Sequence, residues 1–259
     1  GTVLTPGLLG VLASLGVRRV PVYRRVRVGV LSTGDELYDG PGPLPRGRIR
    51  DANRPTLLAL LAEAGCQPVD LGQVPDEESA ITSALEQGVA GCDAVLSSGG
   101  VSMGDFDLVK VVLDRIGEMT WMQVAIKPAK PFAFGLVAGV PVFGLAGNPV
   151  SSMIGFEVFA RPALRQMMGV PAARLDRPRV PGVAGEDLRR TPDGKTHFVR
   201  VVADVGADGR YRARSAGGQG SHQLAAMAAS NALAVLPDGD GVGAGEEVDL
   251  LLLGERTLR

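Results

Sequence analysis

Cysteine, histidine and long apolar segments are all scarce in this chain. Only two cysteines and two histidines occur among 259 residues, and no CxxC or HExxH pattern is present, which argues against a disulfide framework and a structural zinc site. Cys66 and Cys92 are therefore expected to be small buried side chains. No apolar run approaches the roughly 20 residues of a membrane-spanning helix, and no signal peptide is visible, so a cytoplasmic protein is expected. The net charge of −1 argues against nucleic acid and acidic membranes as partners.

A regular alternation of apolar strands and helices extends to residue 170. This pattern predicts an α/β fold with a doubly wound, mostly parallel sheet that is covered by helices on both faces. Ligands of such sheets bind beyond the carboxyl ends of the strands. The predicted strands are 26–31, 67–74, 94–97, 121–126 and 141–145, and the predicted helices are 6–15, 56–63, 77–89, 107–116 and 150–168.

The pattern changes after residue 170, where prolines become frequent and hairpin-type turns occur at 191–194 and 207–209. Strands are predicted at 197–202 and 247–253, which indicates a small all-β domain shaped as a barrel or a sandwich. A Walker phosphate loop is absent, and the glycine-rich run 241–245 precedes a strand, so it is interpreted as a turn. The predicted domain organisation is a lead-in helix and linker at 1–25, an α/β domain at 26–170 and a β-barrel-like domain at 171–259.

The segment between the strand at 94–97 and the helix at 107–116 contains SSGGVSMGDFD. A loop rich in Gly and Ser at a helix N-terminus exposes backbone N–H groups that bind phosphate or another oxyanion. Asp105 and Asp107 would repel a bare anion, but a divalent cation can bridge carboxylates and phosphate. Either aspartate also serves as an ordinary helix cap. The flexible approach through Gly99 and Gly100 favours a magnesium–phosphate site over a cap alone.

Three further loops follow predicted strands, and each has two interpretations. Glu36, in the segment STGDEL, lies either in an exposed turn or beside a metal ion. Lys127 and Lys130 each precede a proline, which favours extended backbone; they are either solvated or hold an anion. Ser151 either caps the last helix or binds an oxyanion through its hydroxyl and the adjacent N–H groups.

Two other polar groups are given structural interpretations. The arginines at 46, 48, 50 and 54 are expected to form a solvated basic loop face. His197 and His222 lack triad partners at a suitable spacing, so neither is predicted to act in nucleophilic catalysis.

Taken together, the segments STGDEL, SSGGVSMGDFD, IKPAKP and GLAGNPVSS, in this order, resemble the molybdopterin molybdenumtransferase family, called MoeA in bacteria and represented by the gephyrin E domain in animals. GSHQL and SNAL, further along the chain, are similar to the family's final domain. The resemblance covers essentially the whole chain and implies a MoaB/MogA-like α/β domain followed by a small β domain. The implied reaction takes adenylylated molybdopterin and molybdate, releases AMP and inserts molybdenum into the dithiolene, assisted by Mg²⁺ or another divalent cation.

The same resemblance implies roles for individual residues. Glu36, Ser102 and Asp107 match residues that act on the adenylyl phosphate, and Glu36, Asp105 and Asp107 match the metal site. The other matches are to the binding of the pterin nucleotide and molybdate, and they are Gly99, Gly100, Lys127, Lys130, Ser151, Arg200 and Ser221.

This sequence departs from the family in two respects. Family members carry a further N-terminal region, so the chain is expected to be an incomplete fragment that is poorly active alone, and the full-length protein is expected to be a homodimer. Ala129 stands where the family usually has glycine.

Two alternative functions are weighed. An adenylyltransferase of the MogA type, which acts one step earlier and is the expected upstream partner, has a similar α/β domain. The trailing β domain and the paired lysines favour the molybdenumtransferase instead. A non-catalytic scaffold is the other alternative.

Overall fold

The computed structural model describes residues 1–101 and 107–254, and these form two six-stranded sheets with helices around the first. Two segments depart from regular helix: a π-helical turn, Phe156–Ala160, joins two α-helices, and Ala172–Arg174 forms a 3-10 turn. In chain order the other elements are α1 (Pro6–Ser14), β1 (Arg27–Thr33), β2 (Leu37–Tyr38), β3 (Ile49–Arg50), α2 (Asn53–Glu63), β4 (Gln67–Val74), α3 (Glu78–Gly91), β5 (Ala94–Ser98), α4 (Leu108–Ile116), β6 (Gly117–Gln123), β7 (Ile126–Lys127), β8 (Pro131–Val137), β9 (Val140–Leu145), α5 (Pro149–Gly155), α6 (Arg161–Met167), β10 (Arg179–Ala184), β11 (Leu188–Arg189), β12 (Thr196–Val205), β13 (Tyr211–Ser215), α7 (Leu224–Ala229), β14 (Ala232–Leu236), β15 (Gly241–Val242) and β16 (Glu247–Leu252).

The first sheet has the order β4-β1-β5-β9-β8-β6. β4, β1, β5 and β9 are parallel, as the α/β pattern predicts, while β8 and β6 run antiparallel to their neighbours. The predicted strand at 121–126 is wrong in its bounds, because β6 ends at Gln123 and the chain resumes as β7 in the other sheet. β8 was not predicted, because its apolar residues directly follow the Lys-Pro segment that was interpreted as loop.

Helices cover both faces of the parallel strands. On one face Leu57 and Leu61 of α2 pack with Phe156 and Leu164 against β1 and β5, and all four side chains are fully buried. On the other face a second cluster combines α3 and α4 with the sheet. Each such side chain contributes about 1.5–3 kcal/mol when removed from water. The two clusters together fix the sheet whose strand ends carry the predicted loops.

The second sheet closes on itself. β13 pairs with β10 on one side and with β12 on the other, so β10, β16, β14, β12 and β13 form a small barrel, to which β7 adds as an outer strand. The predicted turn at 207–209 joins β12 to β13, and Gly209 takes a positive φ of 76° there, which glycine adopts without steric cost. The short helix α7 interrupts the otherwise all-β pattern that was predicted for this region.

The barrel and the first sheet share a hydrophobic cluster. Ile126 and Ala129 of the Lys-Pro segment pack with Val150 and Ile154 of α5 and with Phe198 of the barrel. β7 also pairs in parallel with the start of β12. This shared core holds the barrel at the edge where the loops of the first sheet end.

Salt bridges reinforce the same junction. Arg177, in the connection to the barrel, lies between Glu157 of the π-helical turn and Glu63 of α2, at 2.8 Å and 2.7 Å respectively. Arg161 donates to the carbonyl of Leu175 in that connection at 2.9 Å. Since the Arg177 and Glu157 side chains are almost fully buried, removing one partner of the pair would leave an uncompensated charge.

The start of the chain agrees with its predicted helix. The Thr5 side chain accepts a hydrogen bond from the Leu8 N–H at 3.3 Å, Pro6 occupies the first turn, and Gly16 follows the helix with a φ of 73°. α1 contains no buried residue. No helix within the described ranges combines the length and apolarity that crossing a membrane requires.

Both cysteines are free and buried, as predicted. Burial raises the pKa of the Cys66 thiol to about 11 and also raises that of Cys92. Neither thiol is thus activated as a nucleophile.

Gly100 is expected to be essential to the folded loop. It has a φ of 73°, and an added Cβ would overlap the Val109 side chain of α4. Gly100→Ala is therefore expected to lower the free energy of unfolding by about 3 kcal/mol, from left-handed strain plus overpacking. Urea denaturation measures this.

Gly139→Ala is the matched control for this substitution. Gly139 has a φ of 80°, but nothing lies within 4 Å of an added Cβ. It should therefore cost only the backbone strain, about 1 kcal/mol. Equal losses in the two variants would contradict the packing argument.

Candidate functional site

The carboxyl ends of the four parallel strands open into a cleft of about 710 Å³. This is the edge where open α/β sheets bind their ligands. Residues from all four predicted loops reach it, including Pro131 from the Lys-Pro segment. The residues that line the cleft and matter below are Ser32, Glu36, Arg50, Asp51, Asn53, Asp76, Ser98, Gly99, Gly100, Asp107, Gly147 and His222.

The backbone at Gly99 and Gly100 is left-handed, with φ values of 94° and 73°. A Cβ at Gly99 would lie 3.0 Å from the carbonyl oxygen of Thr33, so the two loops approach too closely for a side chain. Asn53 links the Gly99 loop to the loop after β9, because its amide donates to Ser98 Oγ at 2.8 Å and to the Gly147 carbonyl at 2.7 Å. The floor of the cleft is therefore a fixed stretch of backbone.

Besides Asp51, which binds Arg54, three carboxylates of the described residues line the cleft, and they are Glu36, Asp76 and Asp107. Glu36 is exposed, and Asp107 is half-buried and accepts a hydrogen bond from the Lys110 N–H at 3.5 Å as the N-cap of α4. Both interpretations of Asp107, as a cap and as a cleft residue, are thus compatible. Ser102 and Asp105, which were also predicted here, lie outside the described residues.

Asp76 is the carboxylate that sequence reasoning missed. It follows β4, and its Oδ2 accepts from the Asp35 N–H at 3.2 Å while its own N–H donates to Asp35 Oδ1 at 3.3 Å. The signal was present, since Asp76 comes two residues after the strand predicted at 67–74, on the same edge as Glu36. It also immediately precedes the helix predicted at 77–89, and it was not assigned to the site.

Within the described ranges, no group of three metal-ligating side chains is close enough to hold a metal ion by itself. Mg²⁺ needs no such cage, because proteins usually hold it through one or two carboxylates together with water and substrate phosphates. The oxygen donors of Glu36 and Asp107 fit that pattern.

Arg54 corrects the prediction of a solvated basic loop. Its guanidinium is buried and is held by Asp39, by Asp51 at 3.0 Å and by Asp70 at 2.6 Å. Asp51 also accepts from Ser32 Oγ at 2.6 Å. The arginine therefore fixes the wall of the cleft and leaves little of its charge for a ligand.

A second group of polar residues lies where the barrel meets α5. Arg200 is fully buried on β12, and its Nη2 donates to the carbonyls of Gly218 at 2.8 Å and Gly220 at 3.2 Å. Its Nε and Nη1 have no hydrogen-bond partner among the described residues. Burial lowers the pKa of this guanidinium. Two nitrogens of this buried cation are thus without an acceptor among the described residues.

Ser221 and Ser151 are brought to the same place. The carbonyl of Ser221 accepts from the N–H of Val150 at 3.0 Å, which joins the loop beside Arg200 to the first turn of α5. Ser151 is the next residue of that turn and is buried. Three residues predicted from separate motifs therefore belong to one local group.

The two predicted lysines lie apart from the cleft lining. Lys127 lines a separate cavity of about 440 Å³, together with Gln219 and His197, and Lys130 is exposed. The Lys127–Pro128 peptide is cis, and Ala129 has a φ of 73°, so the segment is not the extended stretch that the sequence predicts. Gln219 connects this cavity to the Arg200 group, since its side chain bonds both the N–H and the carbonyl of Arg200 at 3.0 Å.

The histidines also occupy different places. His222 lines the cleft, although no chemical role was predicted for it. His197 lies in the Lys127 cavity, and its Nε2 is 3.1 Å from Asp193 Oδ1. Burial lowers the pKa of His197, and the charges of Arg190 and Lys127 lower it further, while Asp193 raises it.

His197 should make the stability of the protein depend on pH. Because its folded-state pKa is lowered, the unfolded state takes up a proton first as the pH falls below the usual histidine value near 6.5. The free energy of unfolding is therefore highest when His197 is neutral and decreases between about pH 7 and 5.

Urea unfolding at pH 7.5 and 5.5 tests this expectation. His197→Gln should reduce the difference in midpoint between the two pH values, while His222→Gln should leave the difference as in the wild type. The reverse pattern would contradict the assignment to His197. These two variants cover every histidine, because the chain has only two.

Comparison with known proteins agrees with this architecture. Residues 29–166 match the family model described as a probable molybdopterin binding domain, and residues 182–253 match the MoeA C-terminal region, domain IV. The chain is 39% identical to a molybdopterin molybdenumtransferase of Haemophilus influenzae over 96% of its own length and 62% of that protein's. It is 36% identical to molybdopterin molybdenumtransferase 2 of Mycobacterium tuberculosis, over 92% of this chain and 59% of that one.

A solved structure shows the same arrangement. The crystal structure of a molybdopterin biosynthesis MoeA protein from Pyrococcus horikoshii superposes with a TM-score of 0.79 at 25% identity, covering 97% of this chain and 60% of that chain. The chain thus spans about three fifths of the length of these relatives. The match of the first region includes the four parallel strand ends and the match of the second includes the barrel, so this chain belongs to the probable molybdopterin-binding domain family and carries a C-terminal region of the MoeA type.

Proposed function

We propose that this chain takes part in molybdenum cofactor biosynthesis by binding adenylylated molybdopterin and molybdate, with release of AMP and insertion of molybdenum into the dithiolene. The observation that carries the proposal is the buried guanidinium of Arg200, with two unpartnered nitrogens, beside Ser221 and Ser151. A buried arginine is stable only when its donors are satisfied. A tetrahedral oxyanion such as molybdate supplies the acceptors that the described residues do not.

The nucleotide part of the substrate fits the cleft. The Gly99–Gly100 backbone permits close approach of a phosphate, and the cleft reaches the carboxyl edge of four strands. Lys127 and Lys130, on the segment that packs beneath α5, add positive charge on the side of the barrel. The phosphate and molybdate would therefore be held by adjacent groups of residues, and the shared hydrophobic cluster would fix the relative position of these groups.

Mg²⁺ is the proposed divalent ion of this site. Glu36 and Asp107 would hold it, because both carboxylates line the cleft that would take the phosphate. When bound, the ion neutralises negative charge that develops on the phosphate as the leaving group departs. Asp107 keeps its second task as the cap of α4.

The surroundings of the reaction are proposed as well. An adenylylated pterin must come from an adenylyltransferase, for which a MogA-type enzyme is the proposed upstream partner, and a cytoplasmic location suits this exchange of small molecules. A homodimer is proposed for the full-length protein. In its support, Leu9, Val11 and Leu15 at the start of this chain are each more than half exposed.

Equilibrium dialysis of the purified chain with AMP, Mg²⁺ and molybdate tests the proposal. The chain should bind AMP in the presence of Mg²⁺ and should also bind molybdate when AMP is absent. A chain that fails to bind AMP, or fails to bind molybdate, would overturn the proposal. Consumption of ATP with formation of an adenylylated pterin would instead establish the earlier, MogA-type reaction.

A further inference from the structure

His222 occupies a special position in the cleft. Of the described residues that line it, His222 alone comes from the barrel side of the molecule, whereas the others lie between positions 32 and 149. It belongs to the loop between β13 and α7, and it directly follows Ser221 of the Arg200 group. One loop therefore reaches both the cleft and the proposed oxyanion site.

The backbone of this loop is fixed while the ring is exposed. The Ser221 carbonyl is bonded to Val150, the His222 carbonyl accepts from the Leu224 N–H at 3.0 Å, and Gly220 donates to the Gln223 side chain at 2.8 Å. The imidazole itself is exposed to the cleft. A ligand could therefore engage the ring without reordering the loop, which keeps the entropic cost of the contact low.

Two of the larger side-chain donors around the cleft, Arg50 and Asn53, already bond protein groups. Arg50 donates to the carbonyls of Gly40 and Gly42 and stacks on Tyr38 at 5.0 Å. Asn53 donates to Ser98 and Gly147, as described above.

The remaining charged side chains that line the cleft are carboxylates, which repel a phosphate unless a cation intervenes. Among the described lining residues, His222 is the only basic side chain apart from Arg50, and its exposed ring is free of the backbone contacts that hold Arg50.

We propose that His222 donates a hydrogen bond to the phosphate of the nucleotide bound in the cleft, and so couples that phosphate to Ser221 of the proposed oxyanion site. This assignment rests on the proposed function, since it takes the nucleotide as the occupant of the cleft. It makes His222 a binding residue for the phosphate and not for the base. Because Ser221 is its neighbour, bound AMP should also change the affinity for molybdate, and molybdate that for AMP by the same factor.

The test compares AMP with adenosine, which lacks the phosphate. His222→Ala should weaken AMP binding by about tenfold, the effect of one charge-assisted hydrogen bond, and should leave adenosine binding unchanged. His222→Gln, which retains an N–H donor, should restore part of the AMP affinity. His197→Ala is the matched control, and it should change neither affinity because His197 lies in the Lys127 cavity.

The outcomes separate this inference from the proposed function. Equal loss of AMP and adenosine affinity in His222→Ala, or loss of neither, would overturn the phosphate contact while the proposed function stands. A wild-type chain that fails to bind AMP, or fails to bind molybdate, would overturn the proposed function itself.

A second measurement is proton NMR of the wild type. His222→Ala and His197→Ala serve there only to assign the two imidazole signals. In the wild type, AMP should shift the His222 signal and adenosine should not. Equal shifts with both ligands would contradict the proposal.

Discussion

Arg200→Met is expected to abolish molybdate binding, with a dissociation constant raised at least about 100-fold, because the buried oxyanion would lose a bidentate charged partner. AMP binding in the cleft should stay within about twofold of the wild type, since Arg200 does not line the cleft. Equilibrium dialysis with each ligand separately measures both effects. Arg200→Lys should restore little, because an ammonium group cannot replace the planar fork of donors.

The folded state of Arg200→Met is a separate matter. A buried cation with unsatisfied donors is unfavourable, so its removal stabilises the fold. The same substitution leaves the carbonyls of Gly218 and Gly220 without the hydrogen bonds from Arg200, which destabilises the fold. These effects oppose one another, so stability is expected to change little. Arg212→Met, on neighbouring β13, removes an exposed salt bridge to Asp208 and is the control. Molybdate binding that survives in Arg200→Met would contradict the proposed oxyanion site.

Asp107→Asn is expected to remove the effect of Mg²⁺ on AMP binding. In the wild type, Mg²⁺ should tighten AMP about tenfold or more, because the ion bridges carboxylate and phosphate. Asparagine is as good an N-cap as aspartate, so α4 should remain intact. The variant should therefore unfold within about 0.5 kcal/mol of the wild type, while its AMP affinity becomes independent of Mg²⁺.

Two comparisons make this result decisive. Glu36→Gln should have the same phenotype, since Glu36 is the other proposed ligand of the ion. Asp114→Asn, on α4 but outside the cleft, should keep the response to Mg²⁺ although it weakens the hydrogen bond to the Trp121 indole. A normal Mg²⁺ response in both Asp107→Asn and Glu36→Gln would show that these carboxylates do not hold the ion.

Much of the first sheet followed from local pattern. β4 was predicted with its exact bounds, because Gln67–Val74 lies between a glycine-terminated helix and the Pro75-Asp76 helix start. The helix predicted at 6–15 corresponds to α1, because a threonine side chain can cap the first turn and glycine can adopt the positive φ that follows a helix. Such signals act over three or four residues, and tertiary packing does not override them here.

The antiparallel strands were harder to predict. β8 has apolar side chains on both faces, so it lacks the alternation that marks a half-buried strand. β7 is two residues long and exists only through its pairing with β12, some 70 residues away in the chain. Pairing between distant segments leaves no periodic signal in either of them.

The candidate site, like the fold, was predicted from the sequence only in part. The sequence by itself determined the four strand-end loops, because Gly, Ser, Lys-Pro and carboxylate residues follow apolar strands and parallel strands end on one edge. Only the tertiary structure decided that Arg54 is buried among three carboxylates, that Lys127 lines another cavity, and that His222 enters the cleft from the barrel. The physical reason is that the chemistry of a side chain sets what it can bind, whereas its burial and its neighbours from distant segments set what it does bind.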